Sequence, residues 1–255
     1  MPFNTISAVL PAYNEEENIE IATTRMVEVL DSLNLTDWEV IIVDDGSVDQ
    51  TPEIVDRLAV ANPEHIRVIH HQPNKGYAQA LKSGFTSARH QLVFYTDSDN
   101  QFDVREIKNL LPLIENADIV CGFRIYRFDP LTRLVLAWGY NLLVRMIFRI
   151  NVKDVDCAFK LFRREVFDRV TIESKKFFVD AEILAKARYY GMKLVEIGVR
   201  HYPRQAGRST VRASHIFSTL REIAQMWMNI HSKPRHSEKG RTGEGEKGRK
   251  GERES

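Results

Sequence analysis

Three oxygen-bearing side chains recur at every second position of FYTDSDNQ: Asp97, Asp99 and Gln101. On an extended chain such positions share one face, so all three would offer oxygens to the same point. Two carboxylates about 6 Å apart repel by roughly 0.7 kcal/mol in water, and several-fold more at a lower effective dielectric. A hard divalent cation, Mg²⁺ or Mn²⁺, removes that repulsion, because it takes carboxylate and amide oxygens and completes its shell with substrate phosphates. The same residues also suit a turn whose aspartates cap a helix expected from about residue 103.

Other apolar runs end in the same way. EVIIVDDGSVDQT closes on Asp44 and Asp45 and turns at Gly46 and Ser47. Carboxylates there can accept from base N–H groups or ribose hydroxyls, or serve the turn alone. VLPAYNEEENI sets Pro11, Tyr13, Asn14 and Glu15 after a third run, and NKGYAQAL brings Lys75 and Gly76 to a helix start, where a cation and the helix N-terminus can meet a phosphate. Asn-Lys-Gly is equally an ordinary loop.

Strands buried on both faces are expected at Thr5–Leu10, Val40–Val43, Ile66–His70, Leu92–Tyr95 and Ile119–Cys121, where β-branched residues cluster. Helical segments are expected at about 15–33, 51–60, 76–89 (behind an Asn74 cap) and 103–115. This alternation predicts an α/β fold with a mostly parallel, Rossmann-like central sheet and a ligand crevice at the carboxyl ends of its strands. After residue 123 the alternation stops. A helix near 130–150, DVDCAFKLFRREVF, a helix near 180–190 and a strand near 193–200 follow.

The 255 residues carry 36 basic and 35 acidic side chains, a net charge of +1 that gives no reason to expect nucleic acid as a partner. Cys121 and Cys157 stand alone, without a metal-ligand or disulfide pattern, which fits a reducing cytoplasm. The N-terminus lacks a basic leader with a long apolar core, so no secretory signal is expected. Segment 131–150, LTRLVLAWGYNLLVRMIFRI, is interrupted by Arg133, Arg145 and Arg149 and is too short in its uncharged run to cross a bilayer. It is either a basic amphipathic helix lying in a membrane interface or a core helix with solvated arginines. At 210–231, Ile216, Phe217, Leu220, Ile223, Ala224, Trp227 and Ile230 form a helical stripe most often packed on its own domain, and 233–255 lacks large apolar residues and is expected to be disordered.

In order and spacing, PAYNEEENI, VIIVDDGSVDQT, NKGYAQALKSGF and DSDNQ resemble the nucleotide-sugar half of family 2 glycosyltransferases over residues 5–123. Further on, GFRIYR, Arg133, DVDCAFKLFRR and RQAGRST resemble the branch that glycosylates polyprenyl phosphates, including dolichyl-phosphate mannosyltransferases. The resemblance implies a nucleotide-diphospho-sugar transferase (GT-A) fold, with residues 1–210 as catalytic domain (nucleotide-sugar half 1–123, acceptor half 124–210), an amphipathic helix at 211–232 and a charged tail at 233–255. It implies that Pro11, Tyr13, Glu15, Asp44, Asp45, Lys75, Gly76 and Ser98 lie around the nucleotide sugar, and that Asp97, Asp99 and Gln101 hold Mg²⁺ or Mn²⁺. Arg124, Arg133 and Arg204 would hold the acceptor phosphate or the departing diphosphate, with Ser209 in a small Gly-x-Ser match.

The implied reaction moves mannose or glucose to a polyprenyl phosphate with inversion. A phosphate acceptor is already an anion and needs little help from a base, so Asp180 and Glu182, where hydroxyl-acceptor relatives place their base, are expected to be structural or arginine-orienting. Departures from the family pattern are Ala158 in place of the glycine of Gly-Phe-Lys and Ala137 where a serine is frequent. Many relatives continue into transmembrane helices, whereas this sequence ends in the charged tail, so the expectation is a cytoplasmic protein reaching the inner face of the membrane peripherally or through a partner. The rivals are a transferase with a hydroxyl acceptor and a silent nucleotide-sugar-binding scaffold. A processive polysaccharide synthase is disfavoured because Gln-x-x-Arg-Trp is absent.

Overall fold

A computed structural model describes residues 3–126, 131–174, 178–204 and 223–228, apart from the side chains of 131–133 and 136. The β-branched runs form β1 (Thr5–Ala12), β2 (Asp37–Asp44), β3 (Ile66–His70), β4 (Leu92–Thr96) and β5 (Ile119–Arg124), followed by β6 (Phe159–Arg163) and β7 (Leu194–Val199). Between them lie α1 (Ile19–Ser32), α2 (Thr51–Ala61), α3 (Tyr77–Ser87), α4 (Ile107–Ile114), α5 (Leu131–Phe148), α6 (Val166–Arg169) and α7 (Val179–Tyr189). Helix starts or caps differ from expectation at α1, α3 and α4, the last beginning at Ile107 after a 3₁₀ turn at Val104–Glu106. Residues 15–18 form a turn whose Glu15 carbonyl accepts from the Asn18 and Ile19 amides, so α1 begins later than residue 15. Asn74 does not cap α3: Gly76 holds that position with a φ of 92°, and the Asn74 amide donates instead to the Asp45 carbonyl at 2.6 Å.

The sheet runs β3-β2-β1-β4-β6-β5-β7. All of its neighbours are parallel except the two pairings of β6, which are antiparallel. Its central strands are buried on both faces because α1 and α2 cover one part and α3 and α4 another. Ile6, Val9, Leu10, Ile41, Ile42, Val43, Val93 and Phe94 are wholly inaccessible, and each such side chain contributes about 1.5–3 kcal/mol by leaving water.

Sequence periodicity did not separate β6 from its surroundings, and its position matters for the site. β6 opposes β4 with Thr96 beside Phe159, so the residues that enter it, Asp154–Cys157, lie at the edge where β4 ends. A strand from the second half of the chain is thereby inserted between β4 and β5 of the first half, and one hydrophobic core spans both.

α5 has two unlike faces: Asn141, Val144 and Phe148 are buried, while Val135, Trp138, Leu142 and Met146 are exposed. No helix among the described residues is long and apolar enough to cross a membrane. In the helical residues 223–228, Ile223 and Met226 pack on the core; Ala224 and Trp227, expected on the packed stripe, face outward. The rest of the 210–231 stripe, Ser209 and the 233–255 tail lie outside the described residues.

Candidate active site

β1, β2 and β4 end side by side, and their terminal loops make the crevice. β4 stops at Thr96, and the chain then leaves the extended conformation. Ser98 is buried, with its hydroxyl donating to the Pro11 carbonyl of β1 at 2.8 Å, and Asn100 adopts a φ of 59° while its amide donates to the Asn18 carbonyl. The turn alters one expectation. Gln101 does not reach the carboxylate pair by continued strand alternation; its Nε2 donates to the Tyr202 carbonyl at 3.0 Å, and the Tyr202 amide donates back to the Gln101 carbonyl. That pairing, with the Phe102–His201 bridge, lays segment 201–204 along the rim and carries Arg204 over the site.

Asp97 and Asp99 come together at this turn. Asp97 Oδ1 accepts from the Tyr77 hydroxyl at 2.9 Å, and Asp99 Oδ1 accepts from the Gln101 amide at 3.1 Å. Burial, then the charge of Asp99, pushes the Asp97 carboxyl up to about 7; burial also raises Asp99, opposed by the Gln101 amide and Arg204. Arg204 grips both Glu15 oxygens through Nη2 at 2.5 and 2.7 Å and stands 3.7 Å from Asp99 Oδ2 through Nη1. Two adjoining carboxylates held above their ordinary range are short of positive charge, and this donor set fits a hard divalent cation. No cluster of three or more His, Cys, Asp or Glu side chains is arranged for a metal among the described residues, so the protein offers a two-carboxylate site and leaves the remaining ligands to phosphate and water.

Asp44 and Asp45 are nearly inaccessible and face into the protein. Asp44 accepts from the Ser47 amide (3.0 Å) and His70 (2.8 Å). Asp45 Oδ1 is bonded to His71 Nδ1 (2.6 Å) and the Lys75 amide, and Oδ2 accepts from the Gly76 amide. Asp45 thus takes up the Lys75 and Gly76 amides that were expected to face an anion, while Asp44 takes up the Ser47 amide and His70. The carboxylates staple the 70–76 loop to the end of β2. Gly46 permits the close approach, with a φ of +71° and a hypothetical Cβ only 2.7 Å from the Asn74 nitrogen. Tyr13 stays 40% exposed beside this loop, and the Lys75 side chain is also exposed.

On the opposite wall, Arg124 at the end of β5 forms a two-pronged pair with Asp154, Nε to Oδ2 at 2.6 Å and Nη2 to Oδ1 at 2.7 Å. Burial opposes its charge, but Asp154 holds the guanidinium firmly protonated. One edge of Arg124 is thus committed, leaving Nη1 as its contact for an anion. Arg133 lies in the first turn of α5, its side chain outside the described residues. Asp180 is buried, bonded to the Tyr95 hydroxyl and to Lys160 Nζ at 2.7 Å. Glu182 is buried as well, accepting from the Glu173 and Ser174 amides and from Lys186. Neither is placed as a solvent-facing base. Asp156 carries an enclosed Oδ1 without a hydrogen-bond partner, and burial and the Asp180 charge push its carboxyl up to about 7.

Sequence reasoning had not singled out Tyr77, His70, His71, Asp154, Asp156 and Lys160. The double histidine in HHQPNKG and the two aspartates of DVDC were the available signals, but only the tertiary fold says which carboxylate each residue meets.

A Rossmann-like sheet whose strand ends converge on a carboxylate pair faced by an arginine defines an α/β domain with its crevice at the carboxyl ends of the strands. The profile of glycosyl transferase family 2 matches residues 7–171, and the chain belongs to that family. It is 34% identical over 240 residues to glycosyltransferase AglD of Haloferax volcanii, an alignment covering 90% of this chain and 38% of that one. It is 31% identical over 229 residues to the dolichol-phosphate mannosyltransferase of Pyrococcus furiosus, covering 87% of this chain and 63% of that one. The chain thus spans less than two thirds of both relatives. Its fold is shared with glucosyl-3-phosphoglycerate synthase from Mycobacterium tuberculosis, crystallised with Mn²⁺, UDP and glucosyl-3-phosphoglycerate, at a TM-score of 0.67 and 18% identity over 91% of this chain and 82% of the other. The fold is therefore the GT-A glycosyltransferase fold.

Proposed function

We propose that the protein transfers a sugar, mannose or glucose, from a nucleoside diphosphate sugar to a polyprenyl phosphate, with inversion at the anomeric carbon. The observation that carries the donor side is the Asp97–Asp99 pair, raised by burial and faced by Arg204 at the ends of β1 and β4. A bound Mg²⁺ or Mn²⁺ supplies Lewis-acid stabilisation of the charge that gathers on the departing diphosphate.

Pro11, Tyr13, Glu15 and Ser98 line the nucleotide side. Tyr13 offers an exposed ring to a base, and Ser98 fixes the β4 turn against β1. Asp44, Asp45 and Gly76 shape the neighbouring loop, from which the exposed Lys75 reaches phosphate. Gln101 fixes the segment that carries Arg204. Arg204 exchanges carboxylate partners for diphosphate, while Arg124, held by Asp154, and Arg133 serve the acceptor phosphate.

The acceptor reading rests on the state of Asp180. Its carboxylate is committed to Lys160 and Tyr95, so a hydroxyl acceptor would find no free base there, whereas a phosphate oxygen attacks without one. The name of the Pyrococcus relative describes transfer of this kind. The apolar outer face of α5, with exposed Arg149 at its end, favours the interfacial reading of 131–150 over the core reading. It supports peripheral contact with the inner face of the cell membrane from the cytoplasm. Residues 1–210 would form the catalytic domain, with 211–232 and 233–255 as appended helix and tail.

Incubation with a panel of nucleotide sugars, Mg²⁺ or Mn²⁺, and either polyprenyl phosphate or water tests the proposal. A lipid-linked sugar phosphate is expected. Transfer only to sugar hydroxyls would move the assignment to the hydroxyl-acceptor class, and failure to bind or turn over any donor would leave the scaffold.

A further inference from the structure

Behind Asp97 stands a group of polar side chains, part-buried at Asp97 and Tyr77 and buried beyond them. Tyr77, the first residue of α3, donates its hydroxyl to Asp97 Oδ1 at 2.9 Å, and the Tyr95 hydroxyl lies close behind it with its own proton committed elsewhere. Tyr95, wholly buried in β4, donates to Asp180 Oδ1 on α7. The same oxygen accepts from Lys160 Nζ on β6 at 2.7 Å, and that ammonium also donates to the Cys157 carbonyl and lies 5.6 Å from the Tyr95 ring centroid. Packing immobilises Tyr95: its ring meets Phe85 edge-on at 5.5 Å and stacks on Phe162 at 6.2 Å.

A carboxylate on its own turns easily about its last torsion, which has broad wells. A donor fixed to one oxygen sets the plane of the group and designates the other oxygen. We propose that Tyr77 is a positioning residue for the divalent cation: by occupying Asp97 Oδ1 it holds the carboxylate so that Oδ2 is presented to the metal, with the immobile Tyr95 packed behind it. This rests on the reading of Asp97 and Asp99 as the cation site.

The test is Mn²⁺ binding to the full chain, followed by electron paramagnetic resonance with saturating UDP or GDP, in wild type, Tyr77→Phe and Asp99→Ala. Tyr77→Phe removes a single oxygen. It is expected to weaken Mn²⁺ binding about ten-fold, the lower end for the loss of a partner behind a metal ligand, with metal-free nucleotide affinity and circular dichroism unchanged. A dissociation constant within about two-fold of wild type, well below that range, would overturn the positioning role. Mn²⁺ binding that is absent from wild type, or undiminished in Asp99→Ala, would instead sink the cation site itself and this role with it. If Tyr77→Phe does not fold, Tyr77→Gln and Tyr77→Leu replace it. The donor-bearing glutamine is expected to bind Mn²⁺ more tightly than leucine, and equal affinities would overturn the proposal.

Discussion

Replacing Asp99 with alanine takes one carboxylate from a pair and no volume from the core. Turnover is expected to fall by at least about 10²-fold, the scale of losing a group aimed at developing charge, with an unchanged circular dichroism spectrum; wild-type turnover would refute the metal assignment. Asp156 makes a separate prediction about pH. Its folded carboxyl sits at about 7 against an ordinary 3.8, so the folded state holds its proton more tightly than the unfolded chain does. That contribution to stability is fully present below about pH 3.8 and is lost as pH rises toward 7. Asp156→Asn cannot lose it. The variant should therefore gain stability relative to wild type across that window and level off above it, on the order of 2 kcal/mol between pH 5 and 8. Urea unfolding at a series of pH values checks this, and a pH-independent difference would contradict the burial of the acid.

Among the elements, the loop between β3 and α3 packs against Gly46 in the turn after β2, where one added atom would displace it. Gly46 occupies the left-handed region and has no room for a side chain beside Asn74 and His71. Gly46→Ala is expected to cost at least about 1–2 kcal/mol from the backbone conformation alone, before the contact with Asn74 is relieved. Because Asp45 holds the Lys75 and Gly76 amides, displacing this turn should also weaken nucleotide binding. Calorimetry with UDP and GDP, together with a thermal melt, would show both losses, and a variant with the wild-type melting temperature would show that the loop tolerates being lifted. Strand existence was legible here because each buried run is β-branched and bounded by turn residues. β6 was not, because FKLFR is short, carries Lys160 and Arg163, and takes its place only by pairing with β4 and β5.

For the molecule as a whole, the proposed membrane contact would be made by α5. Val135, Trp138, Leu142 and Met146, spaced by three and four residues, form an exposed apolar line, with Arg145 at its flank and Arg149 exposed at its end. Vesicles containing anionic lipid should bind the protein in a salt-sensitive way, and Arg145→Glu/Arg149→Glu should weaken that binding by about 1 kcal/mol per charge removed. Trp138→Ser should weaken it at every ionic strength, because it removes buried apolar area and not charge. Sedimentation with the vesicles measures both. Binding unaffected by all three substitutions would remove α5 from the membrane.

The sequence by itself determined the alternation of strand and helix, the strand ends at which Asp44, Asp45, Asp97 and Asp99 stand, and the family to which their order is similar. These are local properties: period, turn chemistry and the polarity of short runs. Only the tertiary structure decided what each carboxylate does. Asp45 and Asp180 resemble Asp99 as residues, yet His71 and two amides occupy the first and Lys160 with Tyr95 occupies the second, whereas Asp97 and Asp99 each keep one oxygen bonded and the charge of Asp99 raises the cost of ionising Asp97. Those partners come from positions 20 to 85 residues away for Asp180 and 26 to 31 away for Asp45. A carboxylate's protonation and freedom depend on burial and on the charges brought near it, and for these aspartates folding supplies both.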